Sequence, residues 1–206
     1  MGRLLHHVPR IAFARFWLAS LFLGIVIGSS LLAQHVDAQE STFVPKAEHA
    51  ILMDADSGAV MFQHAADDLT PPASMSKLMT LAVVFKALRQ GTLNLTDEIT
   101  MSEHAWRTGG APSGTSAMFV PINDKATVDE LLQGIIVQSG NDACIAIAEA
   151  MAGTEEGFAQ IMTNEARRIG LTKSTFKNST GLPHQDHLVT VRELAELARY
   201  LIREYP

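Results

Sequence analysis

The chain has 206 residues, of which 47% are hydrophobic and 18% are charged. This length and composition exclude an intrinsically disordered chain and suit one domain with a sizeable core. A formal net charge of −6 excludes nucleic-acid binding through the overall field, and the single cysteine excludes an internal disulfide.

The N-terminal stretch has the pattern of a secretory signal peptide. Three arginines precede an uncharged run over residues 16–33, and Val36 and Ala38 fit the −3 and −1 positions of a cleavage site. The run is also just long enough to span a bilayer, so an uncleaved membrane anchor is the alternative. We predict a signal peptide over residues 1–38 and an exported protein. Without these residues the net charge becomes −8.

A β-hairpin is predicted after a polar segment, residues 39–49, that we expect to be mobile. Residues 50–54 and 59–62 have the composition of strands, and Asp56-Ser57-Gly58 between them has the composition of a turn. A polar link then leads to two prolines at positions 71 and 72.

Ser74 and Lys77 follow those prolines at the start of a long apolar helical pattern that we expect to end at Gly91. Residues three apart share one face of a helix, so the lysine would lie beside the serine hydroxyl. Burial disfavours a charged lysine, and a neutral amine can take a proton from a serine nucleophile. This S-x-x-K pattern alone is weak evidence, because about one such pattern arises by chance in a chain of this length.

A second S-x-x-K, Ser174 to Lys177, tests the importance of that geometry. It follows Gly170-Leu171 in a stretch, residues 173–180, that we expect to be extended. Side chains alternate along an extended chain, so residues three apart point to opposite faces. We therefore predict that this second pair has no catalytic geometry.

The rest of the chain has the pattern of helices joined by loops. Thr127 and Glu130 predict a capping box for a helix to about Gln138, and Thr190 and Glu193 predict another for the last helix. Between them we expect a nearly all-apolar, buried helix over residues 143–151 and a helix that begins at Thr154 and ends near Gly170. Cys144 lies in the apolar pattern, which favours a buried hydrophobe over a reactive thiol.

Two other polar stretches are interpreted as ordinary loops. The Gly/Ser-rich residues 109–116 lack the spacing of a phosphate-binding loop, which favours a loop beside a cleft. His184 and His187 stand without a second cluster of histidines or cysteines, so we predict solvated side chains and no metal site.

Ser139 and Asn141 form the S-x-N pattern between two buried helices, where a turn can project polar side chains into a cleft. S-x-x-K followed by S-x-N is the signature of penicillin-binding proteins and serine β-lactamases. From about residue 50 to residue 206 the chain closely resembles the low-molecular-mass D-alanyl-D-alanine carboxypeptidases. The resemblance rests on the 56–58 turn, residues 72–80, residues 138–144, Gly170-Leu171, Thr175-Phe176 and Gly181-Leu182.

This resemblance implies an α/β (α+β) fold of the β-lactamase/transpeptidase type, with a helical cluster packed on an antiparallel sheet. It implies that Ser74 attacks the terminal D-Ala-D-Ala bond, Lys77 takes the Ser74 proton, Ser139 relays a proton and Asn141 holds the substrate amide. It also implies that the Ser74 backbone N–H forms part of the oxyanion hole.

The same resemblance implies partners and a location. The substrate would be the peptidoglycan pentapeptide, β-lactams would act as inhibitors, and no cofactor would be needed. The domain over residues 50–206 would act in the bacterial periplasm, at the outer face of the cytoplasmic membrane, with membrane attachment through a later C-terminal segment left open.

One departure from the family pattern is that K-T-G does not occur in these 206 residues, and Ser179-Thr180-Gly181 lacks its lysine. We expect an incomplete sequence that lacks the C-terminal strands and, as residues 39–206 alone, is inactive and poorly stable. Two alternatives remain. One is a non-catalytic penicillin-binding or structural module of the same fold. The other is a class A β-lactamase, whose E-x-x-L-N loop is not found.

Overall fold

A computed structural model describes residues 45–206 of the chain. The predicted signal peptide and its cleavage site lie outside these residues, as does the first half of the segment expected to be mobile. No helix within residues 45–206 combines the length and apolar character needed to cross a membrane.

A β-hairpin begins the described region. β1 (Ala50–Met53) pairs antiparallel with β2 (Val60–His64). The Asp54 carboxylate holds the turn, because it accepts hydrogen bonds from the Ser57 backbone N–H at 2.8 Å and from the Ser57 hydroxyl at 2.5 Å. Gly58 has a φ of +79°, a left-handed conformation that glycine adopts without strain. The predicted strands and turn are confirmed.

The helices of residues 45–206 begin and end near their predicted residues, except for the short helix Glu103–Gly109, which was not predicted. Gly91 ends the first helix in a left-handed conformation. Thr127 forms a complete capping box with Glu130, in which each side chain accepts a hydrogen bond from the other residue's backbone N–H. The helices are α1 (Lys77–Gln90), α2 (Glu103–Gly109), α3 (Val128–Gln138), α4 (Asn141–Ala152), α5 (Glu155–Arg168) and α6 (Val191–Glu204).

Helix α4 lies at the centre of the fold, as its apolar sequence predicted. It packs against α1, α2, α3 and α5, and its residues 141–148 are all buried. Cys144 is fully buried in α4, and burial raises the pKa of its thiol to about 12. Because α4 is enclosed on all sides, the polar turn that precedes it is held in a fixed position.

A second antiparallel pair joins β3 (Glu98–Thr100) to β4 (Lys125–Thr127). Strands of three residues carry too little alternation to be recognised from sequence, so no element was predicted here. Helix α2 and a 3₁₀ turn at Ala111–Ser113 lie between them. The expected combination of helices with antiparallel sheet is present, as two separate two-stranded sheets in residues 45–206.

The segment between α5 and α6 contains neither a helix nor a named strand. Thr175 forms an isolated antiparallel bridge with Leu188. The expectation of an extended stretch over residues 173–180 is therefore wrong for its second half, where the backbone bends. The stretch turns back because the Gly181 backbone N–H donates a hydrogen bond to Asn178 Oδ1, which closes a tight loop.

The second predicted capping box is only half formed. Thr190 Oγ1 accepts a hydrogen bond from the Glu193 backbone N–H at 3.1 Å, as expected. The Glu193 carboxylate does not return to the cap. It instead accepts hydrogen bonds at 2.7–2.8 Å from the backbone N–H groups of residues 172–174. A tertiary contact has replaced the local one, because this segment has no sheet to receive its N–H groups.

Candidate active site

Ser74 lies in a 3₁₀ turn, Ala73–Ser76, which we call the serine turn and which leads directly into α1. Ser74 is exposed, whereas Lys77, the first residue of α1, is buried with 4% of its surface accessible. Lys77 Nζ lies 3.2 Å from Ser74 Oγ. The side-by-side placement that the S-x-x-K spacing predicted is present.

The Lys77 amine has two further contacts, both with oxygens that can only accept. Its Nζ donates to Asn141 Oδ1 at 2.7 Å and to the Thr180 carbonyl oxygen at 3.0 Å. A neutral amine has two N–H bonds and one lone pair. If the two N–H bonds satisfy these acceptors, the lone pair is left facing the Ser74 hydroxyl.

The surroundings of Lys77 favour that neutral form. Burial lowers the pKa of the Lys77 amine, because the charged form loses its hydration. No carboxylate forms an ion pair with Lys77 in residues 45–206. Burial is the larger influence on the pKa of Lys77, and the interaction with Cys144 acts in the opposite direction.

Asn141 is fixed at both ends of its amide. Its Nδ2 donates to Thr115 Oγ1 at 3.0 Å, while its Oδ1 accepts from Lys77. Ser139 ends α3 with a left-handed φ of +54°. Its Oγ is buried and has no hydrogen-bond partner within residues 45–206. Three of the four predicted site residues are therefore directly connected, and Ser139 is not.

A cleft of about 920 Å³ opens over Ser74. One wall is the Gly/Ser-rich loop at residues 114–116, which is the position beside a cleft that the sequence predicted. The other wall is the loop at residues 180–185, and Asn141 lies in the lining between them. A cleft of this size with several polar side chains in its lining is typical of a small-molecule or peptide site.

The second wall approaches the serine turn closely enough to require glycine. A Cβ atom at position 181 would lie 1.8 Å from the Ala73 carbonyl oxygen, and Gly181 has a φ of +87°. Ala73 itself has a φ of +48°, which is unusual for a residue with a side chain. The loop and the serine turn therefore constrain each other.

Residues 35–206 match the D-alanyl-D-alanine carboxypeptidase family. The chain belongs to this family. DacC of Escherichia coli is 40% identical over 195 residues, which cover 91% of this chain and 49% of DacC. DacF of Bacillus subtilis is 34% identical over 189 residues, which cover 90% of this chain and 47% of DacF. The chain thus spans about half the length of these curated relatives.

Solved structures of related proteins share the fold. Penicillin-binding protein 5 from Haemophilus influenzae superimposes with a TM-score of 0.75 at 35% identity, covering 80% of this chain and 48% of that one. The carboxypeptidase DacD from Francisella tularensis gives 0.76 at 32% identity, covering 86% and 42%. The fold is that of the penicillin-binding proteins and transpeptidases, as the resemblance implied.

The prediction of a solvated His187 is wrong. His187 is 1% exposed, and its Nε2 lies 3.0 Å from Ser76 Oγ in the serine turn. Its ring packs edge-on against Phe176 with 5.6 Å between ring centroids. Burial, followed by the charge of His184, lowers the pKa of His187 to about 4, so the ring is neutral at pH 7.

The second S-x-x-K lacks a site, as predicted. Ser174 is buried beside Glu193, whereas Lys177 is exposed. The pair has the spacing of Ser74 and Lys77 without a shared helical turn.

Sequence reasoning missed the Thr180 carbonyl and the residues that hold it. A backbone acceptor carries no side-chain signature, and Ser179-Thr180-Gly181 drew notice only as a poor substitute for K-T-G. The sole signal was Gly181, which marks a tight turn. Its importance depends on the approach to Ala73, which is visible only in three dimensions.

Proposed function

We propose that the protein is a serine D-Ala-D-Ala carboxypeptidase that removes the terminal D-alanine from peptidoglycan stem peptides through a Ser74 acyl-enzyme. Membership of the carboxypeptidase family supports this reaction. The observation that carries it is the contact of 3.2 Å between Lys77 Nζ and Ser74 Oγ, made by an amine whose other two partners are acceptors.

In the acylation step, the Lys77 amine takes the Ser74 proton while Oγ bonds to the carbonyl carbon of the terminal peptide bond. The Ser74 backbone N–H, at the start of the helical segment, supplies part of the oxyanion hole for the tetrahedral intermediate. The carbon–nitrogen bond then breaks, and D-alanine leaves after its nitrogen has received a proton.

Ser139 and Asn141 complete this mechanism. Ser139 relays the proton toward the leaving nitrogen, a role that rests on the family resemblance. Its hydroxyl is buried without a partner in residues 45–206 and outside the cleft lining, so the relay requires the side chain to turn toward the cleft. Asn141 lines the cleft between its contacts to Lys77 and Thr115, where its amide can hold the substrate backbone.

Water then attacks the ester at Ser74, releasing the shortened peptide and returning the proton to the serine oxygen. A β-lactam follows the same first step, but its ring opens without losing a fragment, so the acyl-enzyme persists. The H. influenzae relative is named a penicillin-binding protein.

We further propose that residues 1–38 direct export and that residues 50–206 form a penicillin-binding domain acting in the periplasm, in cell-wall synthesis. The arginines before an apolar run and the site at Ala38 support export. N-terminal sequencing of the exported protein should begin at Gln39. Retention of residues 16–33 would support the membrane anchor instead.

Acylation by labelled penicillin tests the proposed chemistry. The product of the complete gene should be labelled, and Ser74→Ala should abolish the label. Ser174→Ala is the matched control and should retain it. Release of D-alanine from a D-Ala-D-Ala peptide should follow the same pattern. Labelling of Ser74→Ala would refute the proposed nucleophile, and labelling without D-alanine release would favour a non-catalytic penicillin-binding module.

A further inference from the structure

Glu155 is a buried carboxylate, 8% exposed, at the first residue of α5. Its Oε1 accepts hydrogen bonds from the Ser179 backbone N–H at 2.9 Å and from the Ser179 hydroxyl at 2.7 Å. Thr80 Oγ1, on α1, donates to the Ser179 carbonyl oxygen at 2.7 Å. Ser179 is therefore held at three points by two different helices.

The next carbonyl along the chain, that of Thr180, accepts from Lys77 Nζ. Its direction is set by its own peptide unit. The Thr180 carbonyl and the Gly181 N–H belong to one planar peptide and point in opposite directions. Asn178 Oδ1 accepts from that N–H at 2.7 Å, which turns the carbonyl toward Lys77.

We propose that Glu155 is a positioning residue for Lys77. By holding Ser179, Glu155 keeps the Thr180 carbonyl oxygen where it accepts one N–H bond of the Lys77 amine. This inference rests on the proposed function of Ser74 and Lys77. Without the Thr180 acceptor, the amine can rotate about its last bond, and its lone pair is no longer directed at Ser74 Oγ.

The character of Glu155 fits such a task better than a role in stability. No lysine, arginine or histidine in residues 45–206 forms an ion pair with it. A buried carboxylate without a counter-ion is unfavourable unless hydrogen bonds compensate for the lost hydration. The two bonds from Ser179 and the N-terminus of α5 provide that compensation, and the Ser179 bonds also hold the segment that contacts Lys77.

Glu193 provides a matched control in the same chain. It is also buried, 6% exposed, and it also holds the segment between α5 and α6 by accepting backbone N–H groups, those of residues 172–174. None of its contacts leads to Lys77. The two carboxylates thus differ mainly in which part of the segment they hold.

The experiment compares Glu155→Ala, Glu155→Gln and Glu193→Ala in the complete gene product. The acylation rate at saturating labelled penicillin and the apparent Kd are measured across pH. Glu155→Ala should lower the saturating rate about tenfold to hundredfold, with little change in Kd, because the base is misdirected. Glu155→Gln should recover most of the rate, since its amide oxygen can accept the same two bonds.

The pH profile separates positioning from a general loss of structure. In Glu155→Ala the ammonium form of Lys77 loses an acceptor, so its pKa falls and the acid limb of the rate profile moves to lower pH. Cys144, with a pKa of about 12, and His187, with a pKa of about 4, stay neutral at pH 7. The other titratable groups near the site are Asp142 beside Asn141, Glu155 itself and His184 in the cleft lining. Glu193→Ala should lower Tm without moving this limb.

The ¹³Cε signal of Lys77 in lysine-labelled protein gives a readout that does not require activity. It should titrate at lower pH in Glu155→Ala than in wild type and Glu193→Ala. An unchanged signal and rate in Glu155→Ala, or an equal change in Glu193→Ala, would overturn the inference. Failure of the wild type to acylate would refute the proposed function, while the Lys77 titration would still decide the role of Glu155.

Discussion

Ser74 to Lys77 and Ser174 to Lys177 have the same spacing and opposite environments. In the first pair the serine is exposed in a cleft and the lysine is buried beneath it, with 3.2 Å between Nζ and Oγ. In the second pair the serine is buried and the lysine faces solvent. A spacing of three brings two side chains together only where the backbone is helical.

The comparison also shows where the chemistry of a lysine comes from. Burial lowers the pKa of Lys77, and three oxygens fix the direction of its amine. Those oxygens come from the serine turn, the start of α4 and the loop after α5. The motif supplies the groups, while three separate elements supply the geometry.

Removing the two lysines gives the largest contrast. Lys77→Ala should lower the rate of penicillin acylation about 10²- to 10⁴-fold, which is the usual contribution of a general base. Lys177→Ala should leave the rate unchanged, because that side chain is exposed and lies outside the cleft lining. Single-turnover labelling measures both. Similar losses in the two variants would contradict the assignment of Lys77 as the base.

Two glycines in left-handed conformations allow the same kind of comparison for the backbone, because only one of them lies against the serine turn. Gly181→Ala should destabilise the fold by about 2–5 kcal/mol, because left-handed strain adds to a collision with the Ala73 carbonyl. Gly170 has a φ of +97°, and a Cβ atom added there would have no other atom within 4 Å. Gly170→Ala therefore introduces the backbone strain without a collision and should destabilise the fold by about 1–2 kcal/mol.

Urea unfolding and acylation of the same two variants separate these contributions. Gly181→Ala should also slow acylation, since its clash displaces the turn that carries Ser74. Gly170→Ala should acylate at the wild-type rate. Equal stability losses would show that the loop can move away from Ala73 without effect.

His187 should make the serine turn sensitive to acid. Its pKa of about 4 in the fold lies below the usual 6.5, so the unfolded chain binds more protons between these values. Stability is therefore retained above about pH 6.5 and is lost as the pH falls toward 4, by up to about 3 kcal/mol. His187→Gln should remove this component. Unfolding curves with the same pH dependence in both proteins would contradict the assigned burial.

Ser174→Ala should have the smallest effect. Its hydroxyl is buried beside the Glu193 carboxylate, with which it interacts, and that carboxylate keeps its three backbone N–H donors when the hydroxyl is removed. We expect a loss of about 1 kcal/mol or less in the free energy of unfolding. A larger loss would show that the fold depends on the Ser174 hydroxyl itself.

Much of this architecture could be predicted where local rules decide it. The hairpin follows from Asp54 to Gly58, where the Asp54 carboxylate holds Ser57 and Gly58 takes the left-handed conformation. Arg199 of α6 adds hydrogen bonds to the Ala55 and Asp56 carbonyl oxygens, which the sequence did not predict. Thr127 begins α3 as its capping box requires. Ser74 and Lys77 also belong to this class, because a proline-led helix start is enough to place them side by side.

The sequence predictions fail where a contact with a residue far along the chain determines the structure. Glu193 leaves its predicted cap because residues 172–174 offer three N–H groups that no sheet receives. His187 looks like a loop histidine in sequence, yet it is buried against Ser76, 111 positions away. The short β3 and β4 recognise each other across α2, and neither has an evident pattern alone.

The segment between α5 and α6 is held by carboxylates instead of a strand ladder, and this has a consequence for hydrogen exchange. The backbone amides of residues 172–174 and of Ser179 lie outside every helix and strand, yet each donates to a buried glutamate. Their exchange with deuterium should be slow, like that of helical amides, because it requires a glutamate to release them.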